Sequence, residues 1–293
     1  MGWLKAACAA AAILIGGLGV AGAAGAAPAL WVVKDADSEI YLFGTLHALD
    51  PATRWRTPLY DQVYSRAQAV WFEADIDRAD AQTVLSIVDR YGVDRQRRLS
   101  QKLPAADLAA LSRQVDVARI DHLRPWAAAL MLSMQPMMGR GASVEAGADL
   151  TMTRAARGQA KRIRTFESLE DQARLFAELP EDAELEYLCD VIRERSAPTR
   201  VGFRRSEVSL EKAWVDGDLA RLGDGLVGEL RGENPAFYEA LLKRRNLAWA
   251  HTLAEAMAGR GVELVNVGAL HMVGSDGLPA LLQARGFTVE RIQ

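Results

Sequence analysis

Gly44-Thr45-Leu46-His47 has a near copy in Gly268-Ala269-Leu270-His271, and the reading of this pair decides the fold. Each G-x-L-H follows a short apolar run, Ile40-Tyr41-Leu42-Phe43 in the first case and Val262-Glu263-Leu264-Val265-Asn266-Val267 in the second. Short apolar runs bounded by glycine predict buried strands. Each histidine therefore falls just past a strand end, where α/β sheets place their ligands and chemistry.

The likeness extends beyond the four residues. After His47 come a loop with Asp50-Pro51, a helical pattern from Pro58 to Ala67 and a strand from Ala69 to Ala74. After His271 come a loop with Gly274 and Asp276, a helical pattern from Gly277 to Ala284 and a strand from Phe287 to Ile292. These are two strand–helix–strand units at opposite ends of the chain, and internal similarity of this kind constrains the architecture. A hairpin, Leu30–Val33 and Glu39–Phe43 around a polar loop, leads the first histidine strand into the sheet. The expected fold class is α/β (or α+β), with a mixed central sheet and large helical insertions at about 78–140 and 180–258. If both units enter one sheet, the two histidines converge on one cleft.

Between the units, carboxylates stand at two more strand ends. Glu73 lies within Val70-Trp71-Phe72-Glu73-Ala74-Asp75. A buried carboxylate costs several kcal/mol unless it is paired or bound to a cation; the alternative is an edge strand with Glu73 in water. Glu167 follows the short strand Arg162–Phe166 and is read either as a cap for the helix at 169–179 or as a site residue. Asp149, in Gly147-Ala148-Asp149, reads as a helix cap. Asn234-Pro235 reads as a helix start; that helix carries Arg245, Asn246 and Trp249 on the way to Met257.

The chain has 293 residues, half apolar and a quarter charged, with a net charge of −3 and no long basic run. That balance argues against nucleic acid as the main partner. Residues 1–26 read as a secretory signal: Lys5, an apolar run from Ala6 to Val20, and small residues ending in Ala24-Gly25-Ala26. The expected location is periplasmic or secreted, with an uncleaved N-terminal anchor as the alternative and no other membrane contact. Residues 27–293 are expected to form a single domain whose lone cysteine, Cys189, is a buried thiol.

Histidines at two strand ends and an acidic residue at a third suit a divalent ion such as manganese, cobalt, zinc or iron. Such an ion lowers the pKa of bound water and polarises a carbonyl, which gives hydrolysis. His47, Glu73 and His271 are the expected ligands, with Glu73 either ligand or general base. His-Glu-x-x-His, G-x-S-x-G, a P-loop and a strand-borne G-x-G-x-x-G are all absent.

The chain resembles the TraB/PrgY/GumN group, which includes the TIKI proteins. The matching elements are Tyr41–His47, Trp71–Asp75, Arg124-Pro125-Trp126, Gly147-Ala148-Asp149, Phe166–Gln172, Arg245-Asn246 with Trp249, and Val267–Leu278. The resemblance implies an erythromycin-esterase/ChaN-like fold and, through the TIKI members, metal-dependent proteolysis carried by two G-x-x-H motifs and a glutamate. By that likeness His47, Glu73 and His271 carry the activity, and Arg245 and Asn246, with Glu167, contact substrate. The expected function is an exported metal-dependent peptidase acting on a peptide or small-molecule substrate. The alternatives are a non-catalytic protein that captures a peptide signal or haem in the same cleft, and a metal-free esterase.

Overall fold

The computed structural model describes residues 27–138, 141–196 and 210–293. The expected signal segment, residues 1–26, lies outside them. Six strands form one mixed sheet: β1 (Leu30–Lys34), β2 (Ser38–Thr45), β3 (Ala69–Phe72), β4 (Arg162–Thr165), β5 (Gly261–Gly268) and β6 (Thr288–Arg291). Their spatial order is β4-β3-β5-β2-β1-β6.

The placement of β5 is the decisive feature. It pairs in parallel with β2, Gly44 opposite Val267 and Thr45 opposite Gly268. On its other side it pairs in parallel with β3, Phe72 opposite Asn266. The first strand–helix–strand unit therefore does not close on itself; the late strand is inserted between its two strands. β4 extends the parallel set next to β3, while β1 and β6 continue the other edge in antiparallel pairing. Both G-x-L-H segments leave the sheet side by side at one edge of the parallel set.

Four helices between β2 and β5 in the chain pack on one face: α1 (Pro58–Arg66), α3 (Pro125–Met138), α4 (Ala148–Gly158) and α6 (Glu181–Ser196), with α2 (Ala81–Ile87) and α5 (Leu169–Ala177) in the same stretch of chain. α7 (Arg244–Met257) and α8 (Leu278–Ala284) cover the opposite face. The strand residues alternate accordingly. Leu30, Val32, Tyr41, Phe43, Val70, Phe72 and Leu264 join the large core. Trp31, Val33, Ile40, Leu42, Trp71, Val265 and Val267 join Trp249, Leu253, Met257, Leu278 and Leu282 on the other side. Two-sided burial is why these strands read as continuous apolar runs. β3 is an inner strand, which excludes the edge-strand reading of Glu73.

Local chemistry starts and ends the helices as physical rules require. Thr57 caps α1 by accepting from the Tyr60 amide at 3.1 Å, with Pro58 at the first helical position. Ser168 and Asp171 form a reciprocal capping box on α5, so the cap expected of Glu167 is supplied by its neighbour. The N-cap of α4 is Gly147, which leaves the expected capping residue Asp149 inside the first turn with its side chain free for another use. Asn234 does sit at the helix start before Pro235, but its side chain makes no cap bond. Cys189 is buried, and burial pushes its thiol up to about 12.

Among the described residues no helix is long and apolar enough to cross a membrane. Phe43, fully buried among Trp55, Tyr60 and Trp214, anchors β2 to the large core. Phe43→Ala is expected to cost about 3–5 kcal/mol, against at most about 0.5 kcal/mol for Leu85→Ala on the surface. Urea unfolding of the two variants measures both.

Candidate active site

Four strand ends line up along one edge and deliver, in order, Glu167 after β4, Glu73 after β3, His271 after β5 and His47 after β2. The backbone ladder continues past the strands, with Phe166 N donating to Phe72 O at 3.1 Å and Glu167 N to Glu73 O at 2.9 Å. The glycines of the first motif and of α4 are needed for close approach. A Cβ on Gly44 would stand 2.8 Å from the Ala269 backbone. One on Gly147 would stand 2.3 Å from the His47 carbonyl oxygen. Ala148 N donates to Leu46 O at 2.9 Å. The start of α4 is thus pressed against the His47 loop, and this presents Asp149 to the imidazole.

A buried cation organises one half of the site. Arg245 donates from Nη2 to Glu73 Oε2 at 2.7 Å and to Glu167 Oε2 at 2.9 Å. Its Nε donates to Glu167 Oε1 at 2.9 Å and its Nη1 to Leu241 O at 2.9 Å. Nη1 also stands 3.1 Å from His271 Nε2. The guanidinium lies over the Trp249 ring at 4.5 Å, and Trp249 Nε1 donates to Glu167 at 3.1 Å. Glu73 receives three further supports: the Gly268 amide at 2.7 Å, Gln172 Nε2 at 3.2 Å and the charge of His47. Burial pushes the Glu73 carboxyl up, but Arg245, the two histidines and the Gly268 amide together hold it well below the carboxylate range.

His271 is fully buried, and both of its ring nitrogens are engaged. Asn246 donates from Nδ2 to Asp276 O at 2.7 Å, so its Oδ1 faces His271 Nδ1 at 2.5 Å as acceptor. Nδ1 then carries the proton, and Nε2 accepts from Arg245. Burial lowers the His271 pKa; Glu73 pulls it up and Arg245 and His47 push it down, leaving it at about 3. The ring is neutral at physiological pH.

His47 is the opposite case. Its Nδ1 stands 2.8 Å from Asp149 Oδ2, an ion-pair distance without the alignment of a hydrogen bond. Burial pushes its pKa down, yet the charge and contact of Asp149 and the charge of Glu73 outweigh this and carry it up to about 9. Nε2 has no protein partner, and neither do Asp149 Oδ1, Thr45 Oγ1 or Asn266 Nδ2. Tyr60 fixes the Asn266 amide by donating to its Oδ1 at 2.7 Å. All four residues line one enclosed cavity of about 10 Å³, together with Phe72, Glu73, Ala74, Ile76 and Gln172. That is room for about one water.

The fold brings His47, Glu73, His271, Arg245, Asn246 and Glu167 into one continuous network. Arg245 and Asn246 spend their polar atoms on Glu73, Glu167, His271 and Asp276, and His271 does not line the cavity. The ion cage of His47, Glu73 and His271 does not fit these side chains as they stand. The Arg245 guanidinium already neutralises Glu73 and occupies His271 Nε2, and among the described residues no three His, Cys, Asp or Glu side chains form a ready ion-binding group. Sequence reasoning missed Asp149, Thr45 and Asn266 as site residues. The signal for Asn266 was present, a polar residue inside the apolar run at 262–267; for Thr45 it was a hydroxyl inside the motif itself.

A model of the TraB/PrgY/gumN family matches residues 29–291. The chain belongs to the TraB/PrgY/gumN family. Among curated proteins, YbaP of Escherichia coli strain K12, described as uncharacterized, is 24% identical over 261 residues, covering 87% of this chain and 92% of YbaP. YbaP of Shigella flexneri gives the same figures. No solved structure gives a significant match. The family match spans all six strands and every site residue, so the site belongs to the region that defines the family.

The two histidines give opposite pH dependences. A pKa depressed on folding adds stability above the unfolded value of 6.5, and His271 loses that contribution as pH falls toward 3. A raised pKa adds stability below 6.5, and His47 loses it as pH climbs through about 9. His271→Asn should therefore flatten the decline in melting temperature between pH 6.5 and 4.5, and His47→Gln the decline between pH 6.5 and 9. Thermal unfolding followed by circular dichroism across both windows checks the pair; the same slopes in both variants and the wild type would contradict it.

Proposed function

We propose that this chain is an exported hydrolase of the TraB/PrgY/gumN family that cleaves peptide bonds with a water held beside His47 and Asp149. One observation carries the reading: four buried polar atoms, His47 Nε2, Asp149 Oδ1, Thr45 Oγ1 and Asn266 Nδ2, lack partners and surround one water-sized cavity. The large majority of buried side-chain polar atoms in folded proteins have a partner. Four such atoms on residues lining one cavity favour a site that takes a ligand oxygen. Export rests on the signal-like residues 1–26, and the peptide bond on the resemblance to the TIKI members.

The residues divide the chemistry. Asp149 Oδ1 accepts a proton from the water as its oxygen attacks the carbonyl carbon. Asn266 Nδ2 and Thr45 Oγ1 donate toward the oxygen that gains charge. His47 Nε2–H gives its proton to the leaving nitrogen as the carbon–nitrogen bond breaks. Asp149 Oδ1 then gives its proton to the next water entering the cavity as that water gives one to His47 Nε2, which restores the protonated imidazole and the free carboxylate. Asp149 first, and then Glu73, held by Arg245, Gln172 and Gly268, supply the negative charge that keeps His47 a proton donor. Arg245 and His271 position Glu73 and do not touch the water.

Metal dependence is the second reading. It is favoured by the donor types left without partners, an imidazole nitrogen and a carboxylate oxygen, which suit manganese, cobalt or zinc.

The test uses purified residues 27–293 and a peptide library, with and without chelator. Cleavage that survives chelation and falls about 10²-fold or more in His47→Gln and in Asp149→Asn is the expected result. Cleavage abolished by chelator and restored by manganese would replace the acid–base scheme with the metal-dependent one. Peptide capture without cleavage, or cleavage indifferent to both substitutions, would overturn the hydrolase reading.

A further inference from the structure

Asn266 follows Leu264 by two residues on β5, so both side chains point to the large-core face of the sheet. Asn266 is fully buried there. Its Oδ1 accepts from the Tyr60 hydroxyl at 2.7 Å, and its Nδ2 has no protein partner. An unsatisfied buried donor costs about 1–3 kcal/mol, which an apolar side chain of similar shape would avoid. Stability therefore does not account for an amide at this place, whereas a ligand at Nδ2 does.

A side-chain amide can turn either end to a cavity, and the two ends have opposite chemistry. With Nδ2 inward, Asn266 adds a donor to a space it shares with the Asp149 carboxylate, the Thr45 hydroxyl and His47. With Oδ1 inward it would set a second acceptor beside Asp149 Oδ1, and the cavity would lose its amide donor. Tyr60 decides between the two. Its backbone amide donates to Thr57 at 3.1 Å, and its ring lies against Phe43 and Trp55 at 4.5 and 5.4 Å. Burial pushes the phenol pKa well up, so the hydroxyl keeps its proton. A buried hydroxyl proton needs an acceptor, and among the described residues Asn266 Oδ1 is the one that Tyr60 reaches. The reversed amide would leave that proton with none. Tyr64, one turn further along α1, gives the contrast: its hydroxyl is also buried and has no hydrogen-bond partner.

We propose that Tyr60 is a positioning residue of the site: its hydroxyl sets the Asn266 amide with the nitrogen toward the cavity, and so supplies a donor to the reacting oxygen. Tyr60 does not itself line the cavity, so it acts through Asn266 and touches no substrate. The orientation of the amide stands on these contacts alone; its consequence for catalysis rests on the hydrolase reading above. The donor that an oxyanion needs is thus fixed from α1, a helix that otherwise serves the core.

The chain has three asparagines, Asn234, Asn246 and Asn266. Residues 27–293 labelled with a nitrogen isotope at asparagine side chains therefore give three pairs of amide resonances by NMR, and loss of one pair in Asn266→Asp assigns the pair of interest. In the wild type, through-space transfer from the Asn266 amide protons should be stronger to water than to the Tyr60 ring protons. Tyr60→Phe keeps the ring and removes the hydroxyl; it should shift or split the Asn266 pair and leave the other two in place. Tyr64→Phe should move none of the three. On a peptide that the wild type cleaves, Tyr60→Phe should lower kcat about tenfold at unchanged KM, and Tyr64→Phe should alter neither. An Asn266 amide in closer contact with the Tyr60 ring than with water overturns the inference, and that measurement needs no variant to fold. An Asn266 pair indifferent to Tyr60→Phe, or a fall in kcat shared by Tyr64→Phe, overturns it as well. Where no peptide is cleaved, the hydrolase reading falls and the amide resonances alone decide what Tyr60 does.

Discussion

The parallel pairing of β2 with β5 is the constraint on which the rest depends. The two strands meet in a register that sets Thr45 opposite Gly268, so segments more than two hundred residues apart end at the same level. With β3 on the other side of β5, the Glu73 carboxylate comes within 2.7 Å of the Gly268 amide. A slip of one residue would turn every side chain of β5 to the opposite face. That would expose Leu264 or Val265 to the wrong core and carry the second histidine away from the first. The apolar faces that stabilise the sheet are thus the same features that fix the site. Because loop closure over such a separation costs little more than over a shorter one, the long helical segments between β2 and β5 are thermodynamically tolerable.

Within that frame, Arg245 divides the site into two environments. On its side, Glu73, Glu167 and His271 are satisfied and locked: every guanidinium direction has a partner, and the His271 tautomer is fixed by Asn246. Removing one member of such a buried group leaves an uncompensated charge, a loss of about 3–5 kcal/mol. On the other side, His47, Asp149, Thr45 and Asn266 keep atoms free around a small cavity. Rigid support beside an unfinished polar cage is the pattern expected of a preorganised reactive centre. The stacked rings of Trp71, Phe166 and Trp249, about 4.9 Å apart, carry the rigid half into the second core.

Much of the architecture was legible in the chain because the strands are buried on both faces and announce themselves as apolar runs. The two G-x-L-H repeats located the sheet edge that matters, and the class of fold, the strands and most helices follow from pattern alone. Strand order was not legible. Nothing local tells β5 to enter between β2 and β3, since that choice is made by long-range packing. The role of Asp149 was hidden for a related reason: a carboxylate in a first helical turn reads as a cap until Gly147 is seen to hold that position. Glu167 was obscured in the same way by Ser168. Arg245 and Asn246 were marked by the family resemblance, but a helix sequence cannot show that a guanidinium points inward at two carboxylates.

We propose a reactive cage of His47, Asp149, Thr45 and Asn266, with Arg245 as the chain's own cation beside Glu73 and His271. A high-resolution crystal structure of residues 27–293, with anomalous data collected after soaking in manganese, addresses it directly. The expected result is a single water-sized peak within hydrogen-bond reach of His47 Nε2 and Asp149 Oδ1, with Arg245 still on Glu73. An anomalous peak bound jointly by His47, Glu73 and His271, with the guanidinium displaced, would contradict it.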